Sequence, residues 1–410
     1  MISPELCIKC KGKLLCGLSA CPILQIYNAF NKISTSINGT KFEGNSPPSI
    51  FVTWNNYPNI TIAPLSPATV LNNSEFLDKP EKWFGIPLTE IVSMRQQLVQ
   101  SKKSINANSA SNPSYELTEM QEIAMSSKPI TIDVELLKRP SLNVSFHESI
   151  APMGPIGQLK EMTLVENPKI SKKIEYLTSD TAVKSTTALQ ELYKSGTEIS
   201  TLQKILSAGV LGVKKNRKLV PTRWAITAVD DSIGKNLIEK IKDFQQISEV
   251  QLFHSNYLDN NFYIMLIPRI WSFEMLECWL PGGVWTQNAT QYHISADYEF
   301  FEGRKQYASN VEGAYYAARL GIAEYLIGKK KQATGIVFRE IGEGYSIPLG
   351  VWQIRENVRN ALKQNPIAFS ELKICLDYLK TKLKVPIEEY KKESKLFDEI
   401  KNQKKITEWI

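Results

Sequence analysis

The chain has 410 residues, 43% hydrophobic and 22% charged, which is the mix of a globular protein and excludes fibrous and disordered classes. At roughly 150 residues per domain this is length for two or three domains. A formal charge of +7 and a pI near 8.8 suit a polyanionic partner without requiring one. No apolar run approaches the ~18 residues of a membrane span, and the first residues lack a basic n-region, so a cytoplasmic protein with no membrane partner is expected. Asn-x-Ser/Thr sequons at Asn38, Asn59, Asn72, Asn143 and Asn288 then read as polar loops.

In chain order, the first feature is Cys7, Cys10, Cys16 and Cys21, spaced Cys-x2-Cys-x5-Cys-x4-Cys. In a reducing compartment clustered thiols point to metal rather than disulfide. Four thiolates complete a tetrahedral site that zinc accepts without strain, and such a closed site is structural. Pro22 after the last cysteine keeps an iron–sulfur cluster open as the alternative. Lys9, Lys11 and Lys13 offset the thiolate charge and are candidates for phosphate contact. Cys278 and Cys375 stand alone among apolar residues and read as core fillers.

Residues 49–54 are expected to form a strand and residues 90–99 a helix. The polar, low-complexity residues 101–115 are expected to form a mobile loop. A strand at 130–136 and a rigid loop at 151–157 follow, then helical patterns over 187–206 broken near Gly196. Residues 224–229 read as a strand by composition, ending in Asp230 and Asp231, with a helix over 232–244. Strand ends opening into helices are where ligand groups commonly lie, although Asp231-Ser232 is equally an N-cap. Two strands, 249–254 and 262–268, flank a turn at Leu258-Asp259-Asn260-Asn261.

Residues 311–327 form a helix rich in small residues, suited to close packing, and 334–341 a strand carrying Arg339 and Glu340 near its end. The Gly-rich stretch 342–350 lacks the spacing of a phosphate cradle. On the helix expected over 351–363, Arg355, Arg359 and Lys363 recur at every fourth position. That ladder either follows a phosphate backbone, for which Arg217 and Lys218 are further candidates, or is a solvated face with Glu356 pairing Arg359. From residue 370 the chain is helical and charged, broken at Pro386. The fold class expected is α+β: a four-cysteine module at 1–25, a mixed region at 26–270, a second region at 271–400 and a flexible peptide at 401–410.

That peptide reads Gln403-Lys-Lys-Ile-Thr-Glu-Trp-Ile410. In one 3₁₀ turn residues three apart share a face, so Ile406 and Trp409, helped by Ile410, can fill one apolar pocket while Gln403 hydrogen-bonds beside it. An exposed Trp-Ile calls for a partner, and this is the form of a sliding-clamp-binding peptide.

With the cysteine cluster and this peptide, two more runs complete a pattern: Arg217-Lys-Leu-Val-Pro-Thr-Arg-Trp-Ala-Ile-Thr-Ala-Val-Asp-Asp231 and Pro348-Leu-Gly-Val-Trp-Gln-Ile-Arg-Glu-Asn-Val-Arg359. Together they make the chain similar to the archaeal Nre family of DNA-repair proteins. The resemblance implies a role in the response to DNA damage, binding to the PCNA-type sliding clamp and a nucleoid-associated place in the cell, but names no reaction. A DNA-contacting, clamp-tethered repair factor is therefore expected. The alternative is an enzyme acting on nucleic acid or nucleotides, with Arg223, Asp230, Asp231, Arg339 and Glu340 as its groups. Neighbouring aspartates on a strand face opposite ways, which weighs against their sharing one ion.

Overall fold

The computed structural model describes residues 39–141, 153–283, 286 and 289–402, with residues 10, 12–15, 21 and 24. The chain divides into two compact units: Cys21–Ile233 with Ile347–Gly350, and Met1–Ala20, Gly234–Ser346 and Val351–Ile410.

The first unit is built on a mixed sheet of β1 (Lys41–Ser46), β2 (Ile50–Val52), β3 (Asn59–Ser66), β4 (Val99–Asn106), β5 (Ile130–Leu136) and β6 (Ile156–Leu164). Their order is β1-β5-β6-β4-β3-β2, with β4 and β6 parallel and the other pairs antiparallel. β5 shows why: Ile130, Ile132, Val134 and Leu136 are buried and the residues between them are not, the period-two pattern of a strand with one covered face. Helices α1 (Leu88–Gln96), α2 (Tyr115–Met125), α3 (Lys172–Ser179), α4 (Ser185–Lys194) and α5 (Ile199–Ser207) accompany this sheet. Gly196, at φ +88°, sits in the break expected between α4 and α5. Asp78 ties the unit internally, with Arg95 and Lys204 as ion pairs. Burial alone would raise its carboxyl, but those two cations and the Ser49 hydroxyl hold it below the usual range.

Two expectations fail here. Residues 101–115 are not a loop: β4, a 3₁₀ turn at Ala107–Ser111 and the start of α2 occupy them. Pairing of β4 with both β3 and β6 supplies the order that a Ser/Asn-rich composition does not advertise. Nor is 224–229 a strand. It belongs to α6 (Thr222–Ile241), because Ala225, Val229 and Ile233 recur at helical spacing and are buried. Asp230 and Asp231 are therefore helix residues, and the N-cap reading of Asp231-Ser232 falls with the strand. The helix instead opens after Pro221, whose carbonyl accepts from the N–H of Ala225 at 2.9 Å.

The second unit holds β7 (Val250–Tyr257), β8 (Asn260–Ile267), β9 (Ser272–Trp279), β10 (His293–Glu299), β11 (Thr334–Ile341) and β12 (Ile367–Phe369). Their order is β10-β9-β11-β8-β7-β12; β11 runs parallel to β9 and antiparallel to β8. Every residue of β8 and β11 is buried, as expected for central strands covered on both faces. Leu258 and Asp259, both at φ +54°, make the turn between β7 and β8. α7 (Gly313–Lys329) and α8 (Trp352–Lys363) belong to one face. A Cβ on Gly321 would lie 2.7 Å from a Val358 methyl, so α7 and α8 touch where the small residue permits. α9 (Leu372–Lys380), α10 (Ile387–Glu393) and α11 (Lys395–Asn402) cover the other face, packing Leu379, Ile387, Tyr390 and Leu396 on Leu276, Ile336 and Phe338. Cys278 and Cys375 lie in that core, and burial pushes both thiols up to about 12. Among the described residues no helix is long and apolar enough to cross a membrane.

Candidate functional site

Among the described residues, a concentration of buried polar groups surrounds Arg339 on β11. Side chains alternate along the strand, so Val337, Arg339 and Ile341 face α7 and α8 while Phe338 and Glu340 face the C-terminal helices. Glu277, level with Arg339 on the neighbouring β9, accepts from its Nη1 at 2.5 Å. Asn260, at the start of β8, accepts from Nε at 3.0 Å and from Nη2 at 2.5 Å. From α8, Gln353 Nε2 donates to Asn260 Oδ1 at 3.2 Å, and Asn357 Nδ2 donates to the Asn260 carbonyl at 3.1 Å. The Phe262 and Tyr345 rings lie within cation–π reach of the guanidinium, at 5.7 and 5.9 Å. Trp279 Nε1 donates to the other Glu277 oxygen at 2.9 Å.

Charge in this cluster is balanced by the Arg339–Glu277 pair. Two wholly buried carbonyl oxygens, Gln353 Oε1 and Asn357 Oδ1, have no hydrogen-bond partner among the described residues. Such oxygens are costly inside a fold unless something donates to them, so the cluster can accept N–H or O–H groups. Beside it, the Gly-rich loop clasps Asp259: the N–H of Gly344 reaches its carboxylate at 2.9 Å, and a Cβ on Gly342 would collide with it. The glycines here admit a carboxylate, in keeping with the absence of phosphate-loop spacing.

Glu340 points to the opposite face. Its Oε1 accepts from the backbone N–H of Lys384 at 2.8 Å, that of Val385 at 3.0 Å and the Tyr390 hydroxyl at 3.3 Å. Burial, with Glu340 alongside, pushes the Tyr390 hydroxyl far above its usual range. Arg339 and Glu340 are thus adjacent in sequence and separated by the sheet. Asp230 and Arg223 belong to the other unit. Asp230 is buried and accepts from Gln203 Nε2 at 3.4 Å, Asp231 is half-buried, and Arg223 lies over the Trp54 ring at 5.8 Å.

The expected phosphate contacts are dispersed. Arg217 is tied to the carbonyls of Gly212, Thr178 and Asp180, while Lys218 is exposed. In the α8 ladder Arg355 is buried and Lys363 exposed. Arg359 forks onto Glu324 at 2.8 and 2.7 Å and reaches Glu356 at 2.8 Å, the local pairing the sequence offered. Lys13 is exposed; Lys9 and Lys11 lie outside the described residues.

Of the four N-terminal cysteines, Cys7 and Cys16 lie outside the described residues, as do Gln403, Ile406, Trp409 and Ile410. Cys10 is buried and opens a tight turn: Lys13 N–H donates to its carbonyl at 2.8 Å and Leu15 N–H to its Sγ at 3.2 Å. Cys21 is half-buried. Among the described residues no group of three or more His, Cys, Asp or Glu is placed to hold a metal ion.

Sequence reasoning missed Glu277, Asn260, Gln353 and Asn357. The available signal was the two carboxylates, Glu274 and Glu277, inside the otherwise apolar run Phe273-Glu-Met-Leu-Glu-Cys-Trp279, since buried acids need partners.

Comparison with known proteins gives concordant results. The model of the N-terminal region of archaeal Nre matches residues 15–286, and that of its C-terminal region matches residues 299–409. DNA repair protein NreB of Archaeoglobus fulgidus is 35% identical over 373 residues, covering 91% of this chain and 92% of its own. NreA of the same organism is 37% identical over 88% of this chain and 90% of its own. NreA of Haloferax volcanii is 33% identical over 81% of each. No solved structure matches the chain. Two family models that between them span nearly all the described residues, and relatives alike along most of their length, place the chain in the archaeal Nre family.

Proposed function

We propose that this protein is a DNA-repair factor that docks on a PCNA-type sliding clamp through residues 403–410 and contacts DNA with its body. The observation that carries the reading is the Gln403, Ile406, Trp409 and Ile410 spacing, which begins one residue after α11 ends at Asn402. A peptide so placed is joined to a folded helix and can engage a pocket on another protein without disturbing the core. Three relatives that bear the name DNA repair protein support the repair role. Tethering raises the local concentration of weak DNA contacts, so the exposed lysines need not bind tightly by themselves. The cysteine spacing and the Cys10 turn support a structural zinc in the same protein, with Cys7, Cys10, Cys16 and Cys21 as its ligands. The place of action is the cytoplasm, at the nucleoid.

Calorimetry with the clamp tests the docking. Removal of residues 403–410, or Ile406→Ala with Trp409→Ala, abolishes binding and leaves the melting temperature unchanged. Apolar anchors at interfaces commonly contribute about 2 kcal/mol or more each. Undiminished binding by the truncated chain would show that the docking site lies elsewhere.

A further inference from the structure

An exposed aromatic corner in the first unit remains without a role. β2 ends at Val52, and the chain turns through Trp54, Asn55, Asn56, Tyr57 and Pro58 before β3 begins. The first turn of α6 is fastened to the same hairpin, because Thr222 Oγ1 accepts from the N–H of Val52 at 2.8 Å. This sets Trp224 beside Tyr57, with ring centroids 5.2 Å apart, and Arg223 over Trp54. Trp224 is 47% exposed and Tyr57 40%, unusual for large rings that hold a corner together.

The basic run before α6 is moored to the same place. Ala107 N–H donates to the Pro58 carbonyl at 2.8 Å, and Leu219 N–H donates to the Ala107 carbonyl at 2.8 Å. Lys218 is thereby two backbone hydrogen bonds from the hairpin tip, and Lys214 and Lys215 precede it in an exposed 3₁₀ turn. Acidic residues are missing from all three contributing segments. No Asp or Glu occurs between Glu43 and Glu75, between Glu90 and Glu116, or between Glu198 and Asp230. The corner therefore combines ring faces, cations and the exposed amides of Asn55, Asn56 and Asn59 on three segments that carry no carboxylate of their own; Asp180, which acts on Arg217, comes from outside them.

We propose that this corner is a platform for single-stranded DNA, on which bases stack against Tyr57 and Trp224 while Lys214, Lys215 and Lys218 meet the phosphates. The proposal rests on the DNA-contact reading above and specifies where and in what form the DNA is held. Single strands expose ring faces that a duplex keeps stacked, and stacking on aromatic side chains tolerates any sequence. An apolar protein partner would not account for a basic run free of acids, whereas a polyanion does.

The test is fluorescence anisotropy of the full chain with a labelled oligothymidine of about 20 nucleotides and with a duplex of the same length. Tyr57→Ala with Trp224→Ala weakens single-strand binding about tenfold or more, and Tyr57→Phe with Trp224→Phe restores most of it. Replacing Lys214, Lys215 and Lys218 by Ala lowers the slope of log affinity against log salt by about 2. Quenching of tryptophan fluorescence by oligothymidine is smaller in Trp224→Phe than in the unaltered chain. If the rings only brace the hairpin, the double Ala variant melts earlier but binds the single strand as tightly as before, which overturns the platform and leaves DNA contact standing. Equal losses on duplex and single strand overturn the single-strand assignment. An unaltered chain that binds neither DNA overturns the platform and the DNA-contact reading together.

Discussion

The carboxylate of Glu274, wholly buried in β9, accepts a 2.8 Å hydrogen bond from the backbone N–H of Lys395, the first residue of α11. Ser394 completes the cap: its hydroxyl accepts from Phe397 N–H at 3.0 Å and donates to Glu274. A strand residue thus anchors the N-terminus of a helix that begins 121 residues later.

Burial is the largest influence on Glu274 and pushes its carboxyl up to about 7, against the opposing bonds from Ser394, Lys395 and Leu396. The folded chain therefore holds this proton more tightly than the unfolded chain, where the acid titrates near 4.5. Its contribution is fully present below about 4.5 and is lost as pH rises through about 7, by about 1.4 kcal/mol per unit inside that window and about 3 kcal/mol across it. Urea denaturation at pH 5 and pH 7.5, compared with Glu274→Gln, isolates the effect. The variant removes this slope; identical pH profiles for the two proteins would contradict the account.

Gly321 gives a packing prediction. Alanine is the better helix former by about 1 kcal/mol, yet its methyl would press on Val358, whose branched side chain is stiff. Gly321→Ala should be net destabilising by about 1–2 kcal/mol through overpacking. Val358→Ala opens room, so the double variant should be more stable than the sum of the single effects predicts. Strict additivity in a double-mutant cycle by thermal denaturation would count against contact at this crossing.

At the Arg339 cluster, removing one charge leaves the other stranded. Glu277→Ala should destabilise the protein by about 3–5 kcal/mol, the usual effect of orphaning a buried ion-pair partner. Glu277→Gln, whose single carbonyl oxygen can still accept from Arg339 while its amide nitrogen faces Trp279, should cost less. Chemical denaturation of both variants ranks them, and equal losses would mean that the acceptor oxygen retained by Gln contributes nothing beside the lost charge.

For the cysteine cluster, elemental analysis of the purified protein should find one zinc per chain, and Cys10→Ser should reduce it. Visible absorbance near roughly 400 nm would instead identify an iron–sulfur centre.

Much of the fold was legible where short-range pattern decides it. The bounds of β5 and β11 follow from their apolar runs, and the two positive-φ residues Leu258 and Asp259 sit in the turn expected there. β4 was illegible because its Ser, Lys and Asn residues carry no apolar alternation; its order comes from partners distant in sequence. The start of α6 misled because Trp-Ala-Ile-Thr-Ala-Val satisfies strand composition and helical spacing alike, and only burial chooses. The Arg339 cluster was half visible. Arg339 stood out on its strand, but Glu277 and Asn260 reach it from two other strands and Gln353 and Asn357 reach Asn260 from α8, and no local pattern encodes that meeting.

The position of β11 has a consequence for biosynthesis. β7 with β8, and β9 with β10, are antiparallel ribbons that can form as soon as each is made, but β8 and β9 do not pair with each other. The strand that joins them ends at Ile341, so throughout translation of the intervening helix both ribbons present an unpaired edge, that of β8 being buried along its whole length in the finished fold. Open apolar edges of this kind recruit other strands, and sheets assembled from distant segments close slowly. A ribosome pausing before Thr334 therefore holds the nascent chain in its most adhesive state, and a chaperone that shields strand edges has most to do there.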